Sequence, residues 1–282
     1  MACTNPIVMR GKFGGYYDDV YYPCRRCMSC RISITQEWTT RLECELRFHS
    51  SSCFLTLTYD DEHLPVDGSL RPEHMRDFLK RLRYYIPEKI KYYGVGEYGE
   101  RQGRPHYHLI IFGWQPPLDD LIVHGVLRHS KFLTKVWTYG FNAVGTVTHD
   151  SIQYTVGYVR KKLYGQEAQN IYGFKVRPFA RCSNGIGLRY AQEKSEDIRR
   201  NMTVMIKGVN RGLPKYFSDK LELDKDVLKM RSPKRVADVM DGQCVDRMEA
   251  EKLIYASDVQ KEKNHEALHD LRSACPGSGS DI

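Results

Sequence analysis

The sequence predicts an α+β fold in which an antiparallel sheet of four to five strands carries helices packed on one face. Two features of the chain lead to this prediction. Short runs of β-branched and aromatic residues alternate with longer segments of helical spacing, and they follow in the order strand, helix, strand, strand, helix, strand, helix. Four antiparallel strands with helices on one face make the ferredoxin-like or RRM-like arrangement, to which the last helix adds.

The first strand and the helices beside it have the clearest patterns. Residues 32–48 show helical spacing, and residues 52–59, SCFLTLTY, alternate as a strand does. A helix should follow from Pro72, a residue suited to a first turn, because apolar residues recur at helical spacing until Pro87 ends it.

The rest of the sheet is predicted from shorter runs. Residues 90–95 and 107–112 are apolar, and the segment that joins them, GEYGERQGRP, has the glycines and proline of a hairpin connection. A second helix is expected over residues 118–137 and a strand over 141–147. The last helix should open at Asp150 or Ser151.

The 282 residues divide into three parts. Residues 1–31 are rich in Gly, Tyr and Cys without periodicity and are expected to form an irregular arm. Residues 32–200 hold the α+β domain, which is long enough to bury a substantial core. Residues 201–282 form a C-terminal extension of mixed charge, and its end, SACPGSGSDI, has the composition of a disordered tail.

The charge balance favours an anionic partner. Lys plus Arg number 43 against 35 Asp plus Glu, a formal net charge of +8, and nucleic acid is the first candidate. The chain has no apolar run of spanning length and no signal-peptide core at its N-terminus. We therefore expect no membrane partner and a cytoplasmic location.

Two histidines in the segment RPHYHLIIFG predict a metal site. On a strand His106 and His108 leave the same face, while Tyr107, Leu109 and Ile111 leave the other. The apolar face can meet helices, and the two imidazoles can bind one divalent ion that keeps the open positions needed for catalysis on a phosphate. The same spacing also fits two histidines that only face solvent.

A third ligand for this ion must come from another segment. Glu97 ends the preceding strand and would lie beside the histidines across the hairpin, and Glu100 is the alternative.

Two tyrosines and a lysine predict a reactive helix face. Tyr154, Tyr158 and Lys161 are spaced at i, i+4 and i+7, so a helix places them in one stripe that the core does not claim. The opposite stripe is apolar and packs against the protein: Ile152, Val156, Val159 and Leu163. Ordinary surface packing also explains such a tyrosine pair taken alone, and its coincidence with the histidine pair favours chemistry.

The chemistry that joins these residues is transfer of a phosphodiester to a tyrosine. A phenol with a pKa of about 10 is a poor nucleophile while neutral, so it needs a cation on the scissile phosphate. Lys161 can stabilise the added negative charge. Attack would form a 5′-phosphotyrosine and release a 3′-hydroxyl. The step is reversible without ATP, in agreement with a chain that has no P-loop signature.

A cysteine group in the N-terminal arm fits either a structural zinc site or free thiols. The nine cysteines are odd in number and unevenly spread, which does not favour a disulfide framework. Cys24, Cys27 and Cys30 lie three apart in PCRRCMSCR, and Cys3 could supply a fourth thiolate for Zn²⁺.

Basic residues near these motifs are candidate DNA contacts. Basic runs interleaved with aromatics fit a single strand, because cations follow phosphates and rings stack on unpaired bases, although a solvated charged face explains any one run equally well. The candidates are Arg25, Arg26 and Arg31 in the arm, Arg104 before the histidines, and Arg160 and Lys162 beside the tyrosines.

The sequence resembles the replication initiators of the microviruses, small single-stranded DNA phages, and in particular the gokushovirus VP4 type. The resemblance covers about residues 1–200. It rests on PCRRCMSCR, FLTLTYDDEHLP, GEYGERQGRPHYHLIIFG, YTVGYVRKK and NGIG. These initiators belong to the HUH endonuclease superfamily with two catalytic tyrosines.

The resemblance implies roles for the singled-out residues. His106 and His108 would bind Mg²⁺ or Mn²⁺ with an upstream acidic residue, which implies Glu97, and Tyr154 and Tyr158 would act as alternating nucleophiles. It also implies rolling-circle replication in the host bacterial cytoplasm, with covalent attachment to the 5′ end of single-stranded origin DNA. Strand separation would fall to a host helicase and the host replication machinery, because the chain has no motor motif.

Two other functions fit parts of the same pattern. A relaxase or transposase would use the same chemistry on mobile DNA. A non-catalytic RRM-like module would bind single strands on its sheet, with the histidines stacking on bases instead of ligating a metal.

Overall fold

A computed structural model describes residues 3, 5–13, 16–99, 103–124, 127–161 and 165–223. Its strands are β1 (Ile7–Phe13), β2 (Tyr16–Tyr22), β3 (Ser52–Tyr59), β4 (Lys91–Tyr98), β5 (Pro105–Phe112), β6 (Leu121–His124), β7 (Leu127–Ser130), β8 (Gly140–Gly145), β9 (Phe179–Cys182), β10 (Thr203–Ile206) and β11 (Val209–Gly212). Its helices are α1 (Met28–Leu46), α2 (Pro72–Tyr85), α3 (Lys131–Val136), α4 (His149–Lys161), α5 (Gly165–Tyr172), α6 (Leu188–Glu193), α7 (Ser195–Asn201) and α8 (Lys215–Lys220).

A five-stranded antiparallel sheet in the order β8-β3-β5-β4-β9 organises these elements. The middle strand is β5, and its His106 lies opposite Thr58 of β3 on one side and Glu97 of β4 on the other. Directly opposed residues of antiparallel strands point to the same face, so these three side chains share one face of the sheet. The predicted α+β class with four to five antiparallel strands is confirmed.

One face of the sheet packs against α2 and α3. Leu55 and Leu57 of β3 and Leu109 of β5 are buried there against Phe78 of α2 and against Trp137, which follows α3. The period-two alternation of the strands meets the helical spacing of α2 at this core, as the sequence predicted.

Helices also cover part of the opposite face, which corrects the prediction that they pack on one face only. Leu42 of α1 and Ile152 and Val156 of α4 are buried there against Ile110 and Phe112 of β5. The second half of β5 is apolar at consecutive positions, the pattern of a central strand buried on both faces.

The individual elements agree with the sequence prediction except between residues 118 and 137. The strand at 52–59 and the helix that starts at Pro72 are confirmed. The predicted helix over 118–137 is wrong, because residues 121–130 form the hairpin β6-β7 and only Lys131–Val136 is helical. The β-branched Ile122 and Val123 favour a strand, and the Ser130 side chain begins α3 by accepting a hydrogen bond from the Leu133 amide.

The N-terminal arm contains more regular structure than predicted. Strands β1 and β2 pair as an antiparallel hairpin, and α1 begins at Met28, within the predicted arm. The consecutive residues Ile7, Val8 and Met9 are all exposed. Because neither face of β1 is buried over these residues, no alternation of apolar and polar residues marks the strand.

The part of the chain after β9 builds a further core on α1. Cys44 of α1 is buried with Val204, Ile206 and Phe217, and Phe48 packs against them. Residues 224–282, with the predicted tail, lie outside the described residues. Among the helices that are described, none has the length and apolar character needed to cross a membrane.

Candidate metal centre and tyrosine pair

His106 and His108 lie on the face of β5 that is turned toward α1 and α4, as their spacing predicted. His108 is 4% exposed and His106 is half-buried. Their rings meet edge to face with centroids 4.9 Å apart. The two imidazoles are therefore held together in a partly water-excluded position and do not simply face solvent.

Glu97 completes a group of three converging side chains. Its Oε1 lies 2.8 Å from Nε2 of His106 and 3.0 Å from Nε2 of His108. The three atoms could all contact one metal ion. Glu97 is buried, as expected for a residue that faces the histidines across the β4-β5 pairing. Glu100, the alternative ligand, lies outside the described residues.

Hydrogen bonds on the far side of each ring orient the pair. Nδ1 of His106 lies 3.1 Å from the backbone carbonyl of Arg104, which can only accept, so Nδ1 carries the proton and Nε2 of the neutral ring presents a lone pair. Nδ1 of His108 lies 3.0 Å from the Thr56 hydroxyl. Such outer contacts fix the ligand nitrogens of metal-binding histidines.

The electrostatics of this group call for a cation. Burial acts to raise the pKa of the Glu97 carboxyl, but hydrogen bonds and charge interactions with His106 and His108 outweigh it, and the net pKa is lowered. A carboxylate and a neutral Nε2 are both acceptors, so their convergence is stable only with protons on the rings or with a metal ion between them. Carboxylate and imidazole are suitable ligands for a divalent ion with open positions.

The two tyrosines of α4 lie against the histidines. The Tyr158 ring stacks on His108 with centroids 5.3 Å apart and an angle of 4°, and Tyr154 meets His108 edge-on at 5.2 Å. Tyr154 is 50% exposed, whereas Tyr158 is only 8% exposed. The prediction that the core claims neither tyrosine is therefore wrong for Tyr158, which is covered on the side of the metal ligands.

The environment keeps the Tyr158 hydroxyl protonated. Burial raises the pKa of Tyr158 far above its ordinary value, and the negative charge of Glu97 raises it further. The Tyr158 side chain also hydrogen-bonds with Glu97 and with Tyr154. The two phenols and the candidate metal ligands thus form one connected group.

Packing on α1 holds the tyrosine helix in place. Ile152 and Val156 of the predicted apolar stripe are buried, and the carboxylate of Glu43 in α1 accepts a hydrogen bond from His149 at the start of α4. Val159 and the side chains of Arg160 and Lys161 lie outside the described part of the structure, as do residues 162–164 with Lys162 and Leu163. Lys161 is the last residue of α4.

The predicted cysteine cluster forms a second group of candidate ligands. The sulfur atoms of Cys3, Cys24, Cys27 and Cys30 all lie within 4.8 Å of one another. The cluster joins the start of the N-terminal arm to the first turn of α1, where Cys30 is buried.

The candidate DNA contacts lie in different surroundings. Arg25 and Arg26 are exposed beside the cysteine cluster and Arg31 is half-buried. Arg104 donates hydrogen bonds to the Asp61 carboxylate at 2.7 Å and to the Tyr59 carbonyl at 3.1 Å, so it braces the segment before His106.

Sequence patterns did not identify two residues beside the metal group. Thr56 contacts His108 from the neighbouring strand, and Phe141 of β8 is 64% exposed. Because Phe141 is paired with Thr58, it belongs to the row that continues through His106 to Glu97. Only the pairing of four strands brings this row together, and the sequence carries no local signal for it.

Comparison with known proteins adds the family. The family model of the replication-associated protein ORF2 matches residues 52–163, which include both the histidine strand and the tyrosine helix. Replication-associated protein ORF2 of Spiroplasma virus 4 is 37% identical over 219 residues, 71% of this chain and 67% of that protein. Replication-associated protein VP4 of Bdellovibrio phage phiMH2K is 32% identical over 250 residues, 78% of this chain and 76% of that protein.

A further relative matches over a smaller share of its length. Replication-associated protein ORF4 of Chlamydia phage 1 is 32% identical over 212 residues, 71% of this chain but 53% of that protein. No solved structure matches this chain.

Proposed function

This chain belongs to the family of microvirus replication-associated proteins, and on that premise we propose that it initiates replication by cutting one DNA strand through a covalent tyrosine intermediate. The names of the relatives carry the role in phage DNA replication. The cutting chemistry is inferred from the residues of this chain.

The observation that carries the proposal is the contact between the tyrosine pair and the candidate metal ligands. The rings of Tyr154 and Tyr158 both meet His108, whose Nε2 lies 3.0 Å from Glu97. A phosphate bound at the ligand group would therefore lie beside the hydroxyls of both tyrosines. Proximity of this kind is a large part of catalysis between a nucleophile and a phosphodiester.

The reaction would be a transesterification. The tyrosine oxygen attacks the phosphorus, the bond from phosphorus to the 3′ oxygen breaks, and the 3′ oxygen leaves as a hydroxyl with the proton that the phenol gives up. The strand then carries a 5′-phosphotyrosine. A divalent ion, Mg²⁺ or Mn²⁺, held by Glu97, His106 and His108 would make the phosphate more electrophilic. Lys161 is proposed to stabilise the negative charge added at the phosphate.

The second tyrosine gives the chemistry its use in replication. A 3′-hydroxyl that attacks the phosphotyrosine reverses the step and joins two ends, so the energy of the phosphodiester is conserved. Two tyrosines permit a second cut before the first linkage is resolved, as rolling-circle replication requires to release a closed unit-length circle. We propose that this occurs on single-stranded origin DNA in the host bacterial cytoplasm, with a host helicase and the host replication machinery.

The row from Phe141 to Glu97 offers a path for the strand. An unpaired base stacked on the exposed Phe141 ring would place its backbone over Thr58 and toward His106, because all three lie in one row of the same sheet face. Stacking of bases on aromatic rings contributes to single-strand binding whatever the sequence.

The test is adduct formation on DNA from the genome that encodes this chain. Overlapping single-stranded oligonucleotides that tile this genome are incubated with the full chain and Mg²⁺ or Mn²⁺, then separated under denaturing conditions. We expect one oligonucleotide to be cut and its 5′-phosphate fragment to remain covalently attached. Omission of the metal, or the double substitution Tyr154→Phe and Tyr158→Phe, should abolish the adduct while binding persists.

The same experiment separates the rival functions. An adduct that survives in the double variant would overturn the tyrosine mechanism. Binding that is insensitive to EDTA and never gives an adduct would indicate an RRM-like binding module. A cut site at a mobile-element end instead of a replication origin would indicate a relaxase or transposase.

A further inference from the structure

We propose that Cys3, Cys24, Cys27 and Cys30 bind one structural zinc ion that fastens the N-terminal hairpin to the first turn of α1. This inference is independent of the cutting chemistry, because none of the four cysteines belongs to the group around His108.

The sulfur positions match a tetrahedral zinc site. The Sγ atoms of Cys3 and Cys27 are 3.8 Å apart, and those of Cys24 and Cys30 are 4.0 Å apart. Four thiolates at about 2.3 Å from a zinc ion at the centre of a tetrahedron have their sulfurs about 3.8 Å apart. A disulfide would bring two of these sulfurs to about 2.05 Å, so the observed spacing fits a shared ion and not a bonded pair.

The backbone around Cys24 is shaped to surround a sulfur that carries negative charge. The amides of Arg26 and Cys27 point at Cys24 Sγ from 3.4 and 3.3 Å, and the amide of Cys24 points at Cys3 Sγ from 3.3 Å. A neutral thiol is a weak acceptor, whereas a thiolate held by a metal accepts such bonds well.

An unfavourable backbone conformation supports the same conclusion. Arg25 has a φ of 61°, in the left-handed region that a residue with a side chain rarely adopts. This conformation turns the chain between Cys24 and Cys27 so that both sulfurs face one point. Metal coordination is the interaction at this turn that could offset the strain.

The hairpin lacks an apolar anchor that could replace the metal. Where the structure describes side chains between residues 3 and 27, each is exposed or half-buried, and none belongs to the three hydrophobic cores. Small units without a core of their own usually need disulfides or metal ions to become ordered. The cysteine cluster supplies such a fastening, since Cys3 and Cys24 flank the hairpin and Cys30 is buried in α1.

The zinc content of the full chain tests the proposal. We expect protein purified under reducing conditions without chelator to contain one equivalent of zinc by elemental mass spectrometry. The double substitution Cys24→Ser and Cys27→Ser should remove this equivalent. It should also make the segment before Met28 sensitive to limited proteolysis while the segment from β3 to β9 stays protected.

Two controls locate the ion. Cys182→Ser changes a half-buried thiol outside the cluster and should retain the zinc. The double substitution His106→Ala and His108→Ala should also retain it, which excludes zinc held at the other ligand group. Wild-type protein without zinc, zinc that persists after loss of both cysteines, or disulfides among the four residues would each overturn the proposal.

Discussion

At the scale of single residues, the two ring nitrogens of His108 have separate partners. Nε2 faces Glu97 and Nδ1 faces the Thr56 hydroxyl. A hydroxyl that holds the far nitrogen sets both the ring angle and the tautomer, so it acts on metal affinity without touching the ion. Thr56 is therefore a positioning residue.

Thr56→Val tests this role. The substitution keeps the shape of the side chain and removes the bond to His108, so we expect Mn²⁺ affinity to fall about 10–100-fold. Isothermal titration with Mn²⁺ measures the change. Thr58→Val is the matched control, because Thr58 lies on the same strand and face but the structure gives it no hydrogen bond to either histidine. Equal losses in the two variants would contradict the assigned role.

The two tyrosines should differ when each is replaced alone. The Tyr158 side chain hydrogen-bonds with Glu97, which places its hydroxyl at the candidate metal ligands, whereas Tyr154 is half exposed. We expect Tyr158→Phe to lose first-round adduct to background, and Tyr154→Phe to keep the first cut but fail in transfer to a second strand. Denaturing gels with one labelled and one unlabelled oligonucleotide separate the steps. An intact first cut by Tyr158→Phe would reverse this order.

At the scale of elements, β8 presents Phe141 on a firmly held backbone. Asn142, the next residue, exchanges hydrogen bonds with the Ser130 backbone at 2.8 and 3.2 Å. Gly140, the preceding residue, has a φ of 145°, and a Cβ there would lie 2.3 Å from the Asp60 amide nitrogen, so only glycine fits. An exposed ring between two such fixed points is available for stacking with little loss of conformational freedom.

Phe141→Ala should weaken binding of a single strand. Loss of one stacked base costs about 1–3 kcal/mol of binding free energy. Fluorescence anisotropy with a labelled oligonucleotide measures this, with Phe141→Trp expected to restore affinity. Phe174→Ala removes an equally exposed ring outside the sheet and should leave affinity unchanged. Loss of affinity in both alanine variants would point to a general effect and not to a base platform.

The elements also show where prediction from sequence ends. Strand β3 and helix α2 were predicted because each buries one face, and burial on one face imposes a readable period. The β1-β2 hairpin, the β6-β7 hairpin and the short β9 have no such period, and they were missed or read as helix. For the site, the spacing of His106 and His108 and of Tyr154 and Tyr158 was sufficient, but Thr56 and Phe141 depend on strand order.

At the scale of the whole molecule, one buried carboxylate links three distant segments. Glu45 of α1 lies 2.8 Å from His49 and 2.8 Å from Lys91 of β4, and it accepts the Gly187 amide at 2.7 Å. Burial acts to raise the pKa of Glu45, but these partners outweigh it and the net pKa is lowered. The ionised form is therefore the one that the folded state stabilises.

Acid should weaken the fold through this group. A carboxyl whose pKa is lower in the folded than in the unfolded state contributes stability above the ordinary value of about 4.3, and this contribution is lost as pH falls through the lowered value. We expect the free energy of unfolding in urea to fall between about pH 5 and pH 3, and to fall less steeply in Glu45→Gln. Identical slopes in the two proteins would show that Glu45 is not a major source of the pH dependence.

Helix α1 ties the remaining parts together along its length. It begins at the cysteine cluster, carries Glu43 against the tyrosine helix and ends beside Glu45, over 19 residues or about 28 Å. A helix packed on several partners behaves as a rigid rod. If the arginines at its first turn hold a phosphate, the rod fixes how far along the strand the scissile bond lies, and the enzyme would choose its cut by measuring a distance as well as by reading bases.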